Sequence, residues 1–420
     1  MDKLVINGGK RLTGRIGIGG SKNSVLPILA GTILASDGEC IIDNVPNIRD
    51  IDAMLKVLKT LGAEVNHDGE SHRVIISAKN IANFRAPYEL VRQMRASFLV
   101  MGPLLGRFGQ AEVSLPGGCV LGARPVDLHI KGFQSIGAVV SDKEGYIRAT
   151  AEKIRGGEAF FDRPSHTGTE NIMLAGALGN GITRIVNAAC DPEVVDLANF
   201  LIRMGARIQG AGSTFIEIEG VERLYGCHYD AMPDRLVAGT YACAVAIAGG
   251  ELFLENARES DLQMPLMKLR DMGVDVIQME NGLAVSCQNR LKSVDITTFP
   301  FPGFPTDLQS CFMALCAVSD GVSNIVETVF ENRMGHAMEL KRLGADIRVM
   351  GDRAVISGVE HLHGASVMAS DIRAGAALVV AALGAKGTTE ILRAYHIDRG
   401  YENIDEALQS VGADIKRLAE

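Results

Sequence analysis

One short phrase, a bulky apolar residue followed by Gly and then Ala or Val, recurs six times at intervals of 68 to 75 residues. Its copies are Leu61-Gly62-Ala63, Ile136-Gly137-Ala138, Met204-Gly205-Ala206, Met272-Gly273-Val274, Leu343-Gly344-Ala345 and Val411-Gly412-Ala413. A period on this scale is the signature of one supersecondary unit used repeatedly. Each phrase ends a stretch with apolar residues at helical spacing, as in Ile51, Met54, Leu58 and Leu61, or Val194, Leu197, Leu201 and Met204. The glycine then fits a helix C-terminal cap. A short strand such as 346–349 follows.

A second phrase keeps the same period: an apolar, small-residue helix, then glycine, then a β-rich run. The six helices are expected to start near Ser24, Arg95, Thr169, Arg235, Thr306 and Ile372. Runs such as RLVAGTYACAVAIA are apolar on nearly every side, which predicts burial. The strands after them include 40–42 and 252–254. The pattern predicts an α/β fold of six repeats of about 70 residues. Three repeats per core give two domains of ordinary size; a continuous solenoid is the alternative.

The 420 residues carry a net charge of −8, with 47% hydrophobic and 22% charged residues. That composition reads as soluble and globular, and its acidity argues against nucleic acid as a partner. The first residues, MDKLVINGGK, contain no apolar core of a signal peptide. The apolar stretch 236–250 is short and rich in Ala and Gly, so membrane insertion is not expected. The eight cysteines are Cys40, Cys119, Cys190, Cys227, Cys243, Cys287, Cys311 and Cys316. None forms a CxxC pair, and they read as reduced thiols of a cytoplasmic protein. Histidine spacing, including His361-x-His363, gives no metal motif, and no dinucleotide or P-loop fingerprint occurs. Neither metal nor cofactor is expected.

Polar residues gather where the buried helices begin: Ser21-Lys22-Asn23, Met94-Arg95, 162–167, Pro233-Asp234-Arg235, Pro305-Thr306-Asp307 and Asp371-Ile372-Arg373. A helix N-terminus attracts anions, and cations are poor partners for its dipole. Cationic starts therefore suggest an anion brought from outside. Ordinary capping, by Asp234 and Asp371 for example, is the plainer reading. The segment 115–125 holds three glycines, two prolines and Cys119, with Arg124 five residues on. A nearby cation favours thiolate, and glycines permit hinge motion; the alternative is a surface loop with an incidental cysteine. The polar turn 395–401 reads either as a ligand contact or as the start of a helix capped by Asp398.

Seven motifs occur in order along the whole chain: GGSKN at 19–23, MRASF at 94–98, LPGGCVLGARPVDLHI at 115–130, FPTD at 304–307, ETVFENRM at 327–334, DIRAG at 371–375 and HIDRGYE at 396–402. Together they resemble the UDP-N-acetylglucosamine enolpyruvyl transferase family. The sister enolpyruvyl shikimate phosphate synthases share the fold but lack the loop cysteine. The resemblance implies a two-domain inside-out α/β barrel, three repeats per domain. One domain would cover 22–231, and the other 1–21 plus 232–420, with substrates bound between them.

The resemblance also implies roles for residues. Lys22, Arg124 and Arg399 would hold the phosphate of phosphoenolpyruvate, beside Asn23. Arg333 and Arg373 would hold its carboxylate. Arg95, Arg124, Pro125, Val126, Asp127, Leu128, Asp307 and Val329 would contact UDP-N-acetylglucosamine, as would Arg163, Ser165 and His166. The chain departs from the commonest family pattern at 163–166, where many members carry a lysine and smaller apolar residues. The implied reaction needs a proton for C3 of the enol ether, a base for the sugar hydroxyl and a fixed cationic clamp. Cys119 suits the acid, Asp307 the base or cation stabiliser, and Lys22 and Arg399 the catalytic clamp. The competing readings are a shikimate-type transferase and a repeat-built scaffold that binds an acidic ligand.

Overall fold

A helix that is apolar on every face persists only when other elements enclose it. The computed structural model, which describes residues 2–92, 94–115 and 126–419, contains six helical runs of this kind. They are Lys22–Gly31, the 3₁₀ turn Arg95–Val100 leading into Met101–Phe108, His166–Gly176, Arg235–Ala248, the turn Thr306–Leu308 leading into Gln309–Cys316, and Ile372–Gly384. Two begin earlier than their apolar pattern suggests, at Lys22 and His166 rather than near Ser24 and Thr169. The reason is local: polar residues there form the first helical turn, and the Ser165 side chain caps Gly168 N. Asp234 and Asp371 cap their helices in the same way, each accepting from two backbone N–H groups.

Amphipathic helices alternate with these: Arg49–Leu61, Asp127–Ser135, Pro192–Met204, Gln263–Asp271, Ala337–Arg342 and Ile404–Ser410. The chain divides into two compact units. One holds the described residues up to Gly19 and from Pro233 onward; the other holds those from Gly20 to Met232. Each has its own core, containing Leu236, Phe312 and Leu378 in the first and Leu29, Phe133 and Phe200 in the second. Small residues let the buried helices approach closely. A Cβ on Gly102 would lie 2.3 Å from the Asn171 carbonyl oxygen of the neighbouring helix.

The four-stranded sheets share one pairing pattern: a short strand parallel to its neighbour, then two antiparallel steps. In the Gly20–Met232 unit, Cys40–Asp43 pairs with Arg73–Ser77, which pairs with Glu64–Asp68, and His228–Asp230 adds the parallel strand. Two further four-stranded sheets there follow the same order. In the other unit, Leu12–Gly17 runs parallel to Gly250–Glu255. The strand Asp2–Asn7 lies between Thr388–Leu392 and Asp414–Ala419, antiparallel to both. The fold is mixed α/β. No helix among the described residues is long and apolar enough to cross a membrane.

The recurring glycines follow the amphipathic helices and all have positive φ: Gly62 107°, Gly137 100°, Gly205 111°, Gly273 93°, Gly344 93° and Gly412 101°. That backbone region is costly for any residue with a Cβ. At Gly273 an added Cβ would meet nothing within 4 Å, so strain is the only penalty. Gly273→Ala should lose about 1–2 kcal/mol in a denaturant titration. Gly335→Ala, with equal room and no positive φ, should be near neutral. Equal effects at the two positions would remove the backbone explanation.

Candidate active site

Asp307 opens the fifth buried helical run, and two arginines converge on its carboxylate. Arg333 Nη2 lies 2.7 Å from Oδ1. Arg373 reaches Oδ2 through both Nε and Nη2, each at 3.1 Å. Arg373 sits in the first turn of Ile372–Gly384, where its cation opposes the helix dipole. It is held there by Asp307 and by Tyr401, whose hydroxyl accepts from Arg373 Nη1 at 3.0 Å. Burial works against the Arg373 charge, but Tyr401 and Asp307 outweigh it and hold its pKa above the ordinary value. Tyr401 is itself anchored, its hydroxyl 2.8 Å from Thr240 Oγ1. Val329 is half-buried and its N–H donates to Glu327 at 2.8 Å.

Arg399 ends the 3₁₀ turn Ala394–Arg399. Burial first, and then the Arg399 charge, hold His396 below the usual histidine range. Asp398 does not cap a helix. It takes two hydrogen bonds from Arg417, at 2.9 and 3.1 Å, and Asn403 precedes the helix Ile404–Ser410 instead. The nearby guanidinium is a stronger partner for a carboxylate than a distant helix end.

In the Gly20–Met232 unit, Lys22 begins its helix as a buried cation, and Asp50 meets it at 2.7 Å. Asp50 is buried although it stands in the first turn of an amphipathic helix. Asn23 is half-buried beside Lys22. The sequence-predicted contacts Arg95, Val126–Leu128 and 163–166 fall on three segments that one buried network links. Asn171 Nδ2 donates to Phe98 O at 3.1 Å and to His129 Nδ1 at 3.1 Å, while Asn171 Oδ1 accepts from Gly102 N. Because the amide nitrogen only donates, His129 Nδ1 accepts. The ring proton is then on Nε2, 3.3 Å from Thr167 Oγ1. Burial, reinforced by Arg95, pushes the His129 pKa down to about 3, so the ring is neutral.

Val126 and Leu128 are buried, whereas Asp127 and Arg163 are exposed. Ser165 is occupied as a cap. His166 Nε2 lies 2.9 Å from buried Glu170, and Nδ1 lies 3.7 Å from Asp191. Burial opposes the imidazolium, but the Glu170 and Asp191 carboxylates prevail and raise the His166 pKa well above its ordinary value. Among the described residues, His166, Asp191 and Glu193 bring one potential metal-ligand atom each within 4.8 Å of one another. A ring protonated between carboxylates makes an ion pair, and a metal would have to displace its proton to use it as a ligand.

Cys119, Arg124 and Pro125 lie outside the described residues. The seven described cysteines are all free, and burial raises the pKa of every one, Cys40 to about 12 and Cys311 and Cys316 to about 11. Asp50, Glu327, His129, Asn171 and Tyr401 are the site residues that sequence reasoning passed over. His129, Glu327 and Tyr401 stand inside recognisable motifs, which is the signal that was available.

A sequence model of the EPSP synthase (3-phosphoshikimate 1-carboxyvinyltransferase) family matches residues 6–408. A UDP-N-acetylglucosamine 1-carboxyvinyltransferase of Magnetococcus marinus is 49% identical over 419 residues, covering 100% of both chains. UDP-N-acetylglucosamine 1-carboxyvinyltransferase 1 of Caldanaerobacter subterraneus is 48% identical over 415 residues, 99% of each. Among solved structures, the enolpyruvyl transferase NikO from Streptomyces tendae aligns with a TM-score of 0.90 at 26% identity, covering 100% of this chain and 99% of that one. EPSP synthase from Acinetobacter baumannii aligns at 0.75 and 17% identity over 100% of both, a likeness of fold.

The raised His166 pKa fixes a pH dependence. A group whose folded pKa exceeds its unfolded value stabilises fully below the unfolded value and loses that contribution as pH rises through the folded one. The stability margin of wild type over His166→Gln should therefore be full just below pH 6.5, the ordinary histidine value, shrink at alkaline pH, and fall also in acid as Glu170, whose own pKa burial raises, is protonated. Urea titrations of both proteins across pH measure it. A margin that widens at alkaline pH contradicts the ion pair.

Proposed function

The chain belongs to the EPSP synthase family of carboxyvinyl transferases, and on that premise we propose that it moves the enolpyruvyl group of phosphoenolpyruvate to the 3-hydroxyl of UDP-N-acetylglucosamine. Phosphate is released, and the product begins the committed route to peptidoglycan precursors. The observation that carries this is identity of 48–49% across the whole chain to proteins named for that transfer. The likeness to EPSP synthase, at 17% identity, extends only to fold, so a shikimate-directed activity is the weaker alternative.

The chemistry assigns the residues roles. Arg333 and Arg373 take the substrate carboxylate, and Lys22, Arg124 and Arg399 the phosphate, since bidentate and charge-assisted contacts suit both groups. A carboxylate bound by Arg333 and Arg373 would compete with Asp307 for them and release Asp307 as base. Asp307 then removes the proton of the sugar hydroxyl, whose oxygen bonds to C2 while Cys119 gives a proton to C3. In the second half C3 loses a proton, the C2–O bond to phosphorus-bearing oxygen breaks, and phosphate leaves with the electron pair. Arg95, Val126, Asp127, Leu128, Val329 and the 163–166 turn hold the nucleotide sugar.

The repeated pairing pattern of the four-stranded sheets supports reading the chain as six copies of one unit, three to a domain, in the inside-out barrel arrangement. The same reading carries a cytoplasmic location and a part in cell shape and division through the wall. It also carries sensitivity to fosfomycin at Cys119, and a pyruvate adduct on that thiol. The seven described thiols, held protonated by burial, are poor competitors for such reagents.

Phosphate release from phosphoenolpyruvate should require UDP-N-acetylglucosamine; release driven by shikimate 3-phosphate instead would favour the alternative. Cys119→Ser should lower turnover about a hundredfold or more, as expected for loss of a general acid, whereas Cys119→Asp should keep turnover and escape alkylation. Full activity in Cys119→Ser, or labelling at another cysteine by peptide mapping, would remove Cys119 from the acid role.

A further inference from the structure

Glu327 is a carboxylate only 3% exposed, in none of the roles above, and it is fully engaged. Its Oε1 accepts from Thr298 Oγ1 at 2.9 Å, Val329 N at 2.8 Å and Phe330 N at 3.1 Å. Its Oε2 accepts from Thr306 Oγ1 at 2.8 Å. Thr306 Oγ1 in turn accepts from Arg333 Nη1 at 3.1 Å, and Arg333 reaches Asp307 through Nη2. One buried anion thus fixes the backbone at Val329 and, through a single hydroxyl, aims Arg333. An ionised carboxylate accepts four such bonds without donating any. It also favours the guanidinium two links away.

We propose that Glu327 is a positioning residue that sets the orientation of Arg333 through Thr306. The inference rests on the reading of Arg333 as the clamp for the phosphoenolpyruvate carboxylate. The amide of a glutamine in this place has one acceptor and one donor end. Its oxygen must face Thr298 and the two backbone N–H groups, because turning the donor end there would set donor against three donors. The amide nitrogen then meets Thr306 Oγ1, which Arg333 already donates to. Thr306 Oγ1 has two lone pairs and can accept both, but its own proton then loses its acceptor and the anion behind Arg333 is gone, so Glu327→Gln weakens the relay to Arg333 and preserves the hold on Val329.

The test is steady-state kinetics on Glu327→Gln, Thr306→Val, Thr306→Ser and the double variant Glu327→Gln/Thr306→Val, with thermal unfolding of each. Glu327→Gln and Thr306→Val should each raise KM for phosphoenolpyruvate about tenfold, the scale at which residues behind a ligand-binding group act. Their kcat should change much less. Affinity for UDP-N-acetylglucosamine, by calorimetry, should stay within about threefold. The double variant should match the single ones, since both cut one relay, and Thr306→Ser should restore wild-type KM. If Glu327→Gln does not fold, the two Thr306 variants carry the test. Additive losses, equal behaviour of Thr306→Val and Thr306→Ser, or activity that only follows the folded fraction would overturn the proposal. Absence of turnover in the wild-type protein would overturn the functional reading beneath it, a distinct outcome.

Discussion

The constraint on which the structure depends is the enclosure of helices that have no polar face. Runs such as Arg235–Ala248 and Ile372–Gly384 are buried along nearly their whole length. Their charged residues stand at the ends. At the N-terminal ends the free N–H groups and the dipole favour anions, and that is where Asp234, Asp371 and Asp307 stand. The cations at those ends are not paid for by the helices. Two of them are matched by side chains from elsewhere in their unit: Lys22 by Asp50, Arg373 by Asp307 and Tyr401. The concentration of charge at helix starts is thus a consequence of burying everything else.

Buried ion pairs of this kind are weak sources of stability, because desolvating both charges offsets much of their attraction. Their value lies in fixed geometry. Arg373 has three contacts on two partners, and Arg333 is tied to both Asp307 and Thr306. Side chains held at several points lose little further freedom when a ligand arrives, and preorganised dipoles need not turn as charge develops. The neutral His129, with its tautomer set by Asn171 and Thr167, serves the same end without charge.

Much of this was legible in the chain itself. The glycine after each amphipathic helix announced a left-handed backbone position, because the physics of Cβ leaves few other reasons to repeat it so regularly. Asp234 and Asp371 were readable as caps from their place before an apolar run. Asp50 was not readable, since an acid in the first turn of an amphipathic helix normally faces water; in the fold it is buried and meets Lys22. Tyr401 lay inside a noticed motif, but its contact was not readable, because its partner Thr240 is 161 residues away. Glu327 lay inside a noticed motif, but its significance depends on Thr298 and Thr306, which come from separate turns. Local rules find caps and periods; they do not find partners brought together by the fold.

The strand Asp2–Asn7 occupies an inner place in a sheet whose neighbours are Thr388–Leu392 and Asp414–Ala419. On the ribosome those six residues emerge long before their partners at 388–392 and 414–419, and must wait while the intervening chain is made. Meanwhile the unit from Gly20 to Met232 draws every strand of its sheets from its own span, and can complete them while synthesis continues. The order of birth and the order of assembly are therefore opposed: a strand made before the Gly20–Met232 unit is seated after it. Until then an unpaired edge stays open to other chains, which makes the interval before residues 388–419 are made a vulnerable one for this strand.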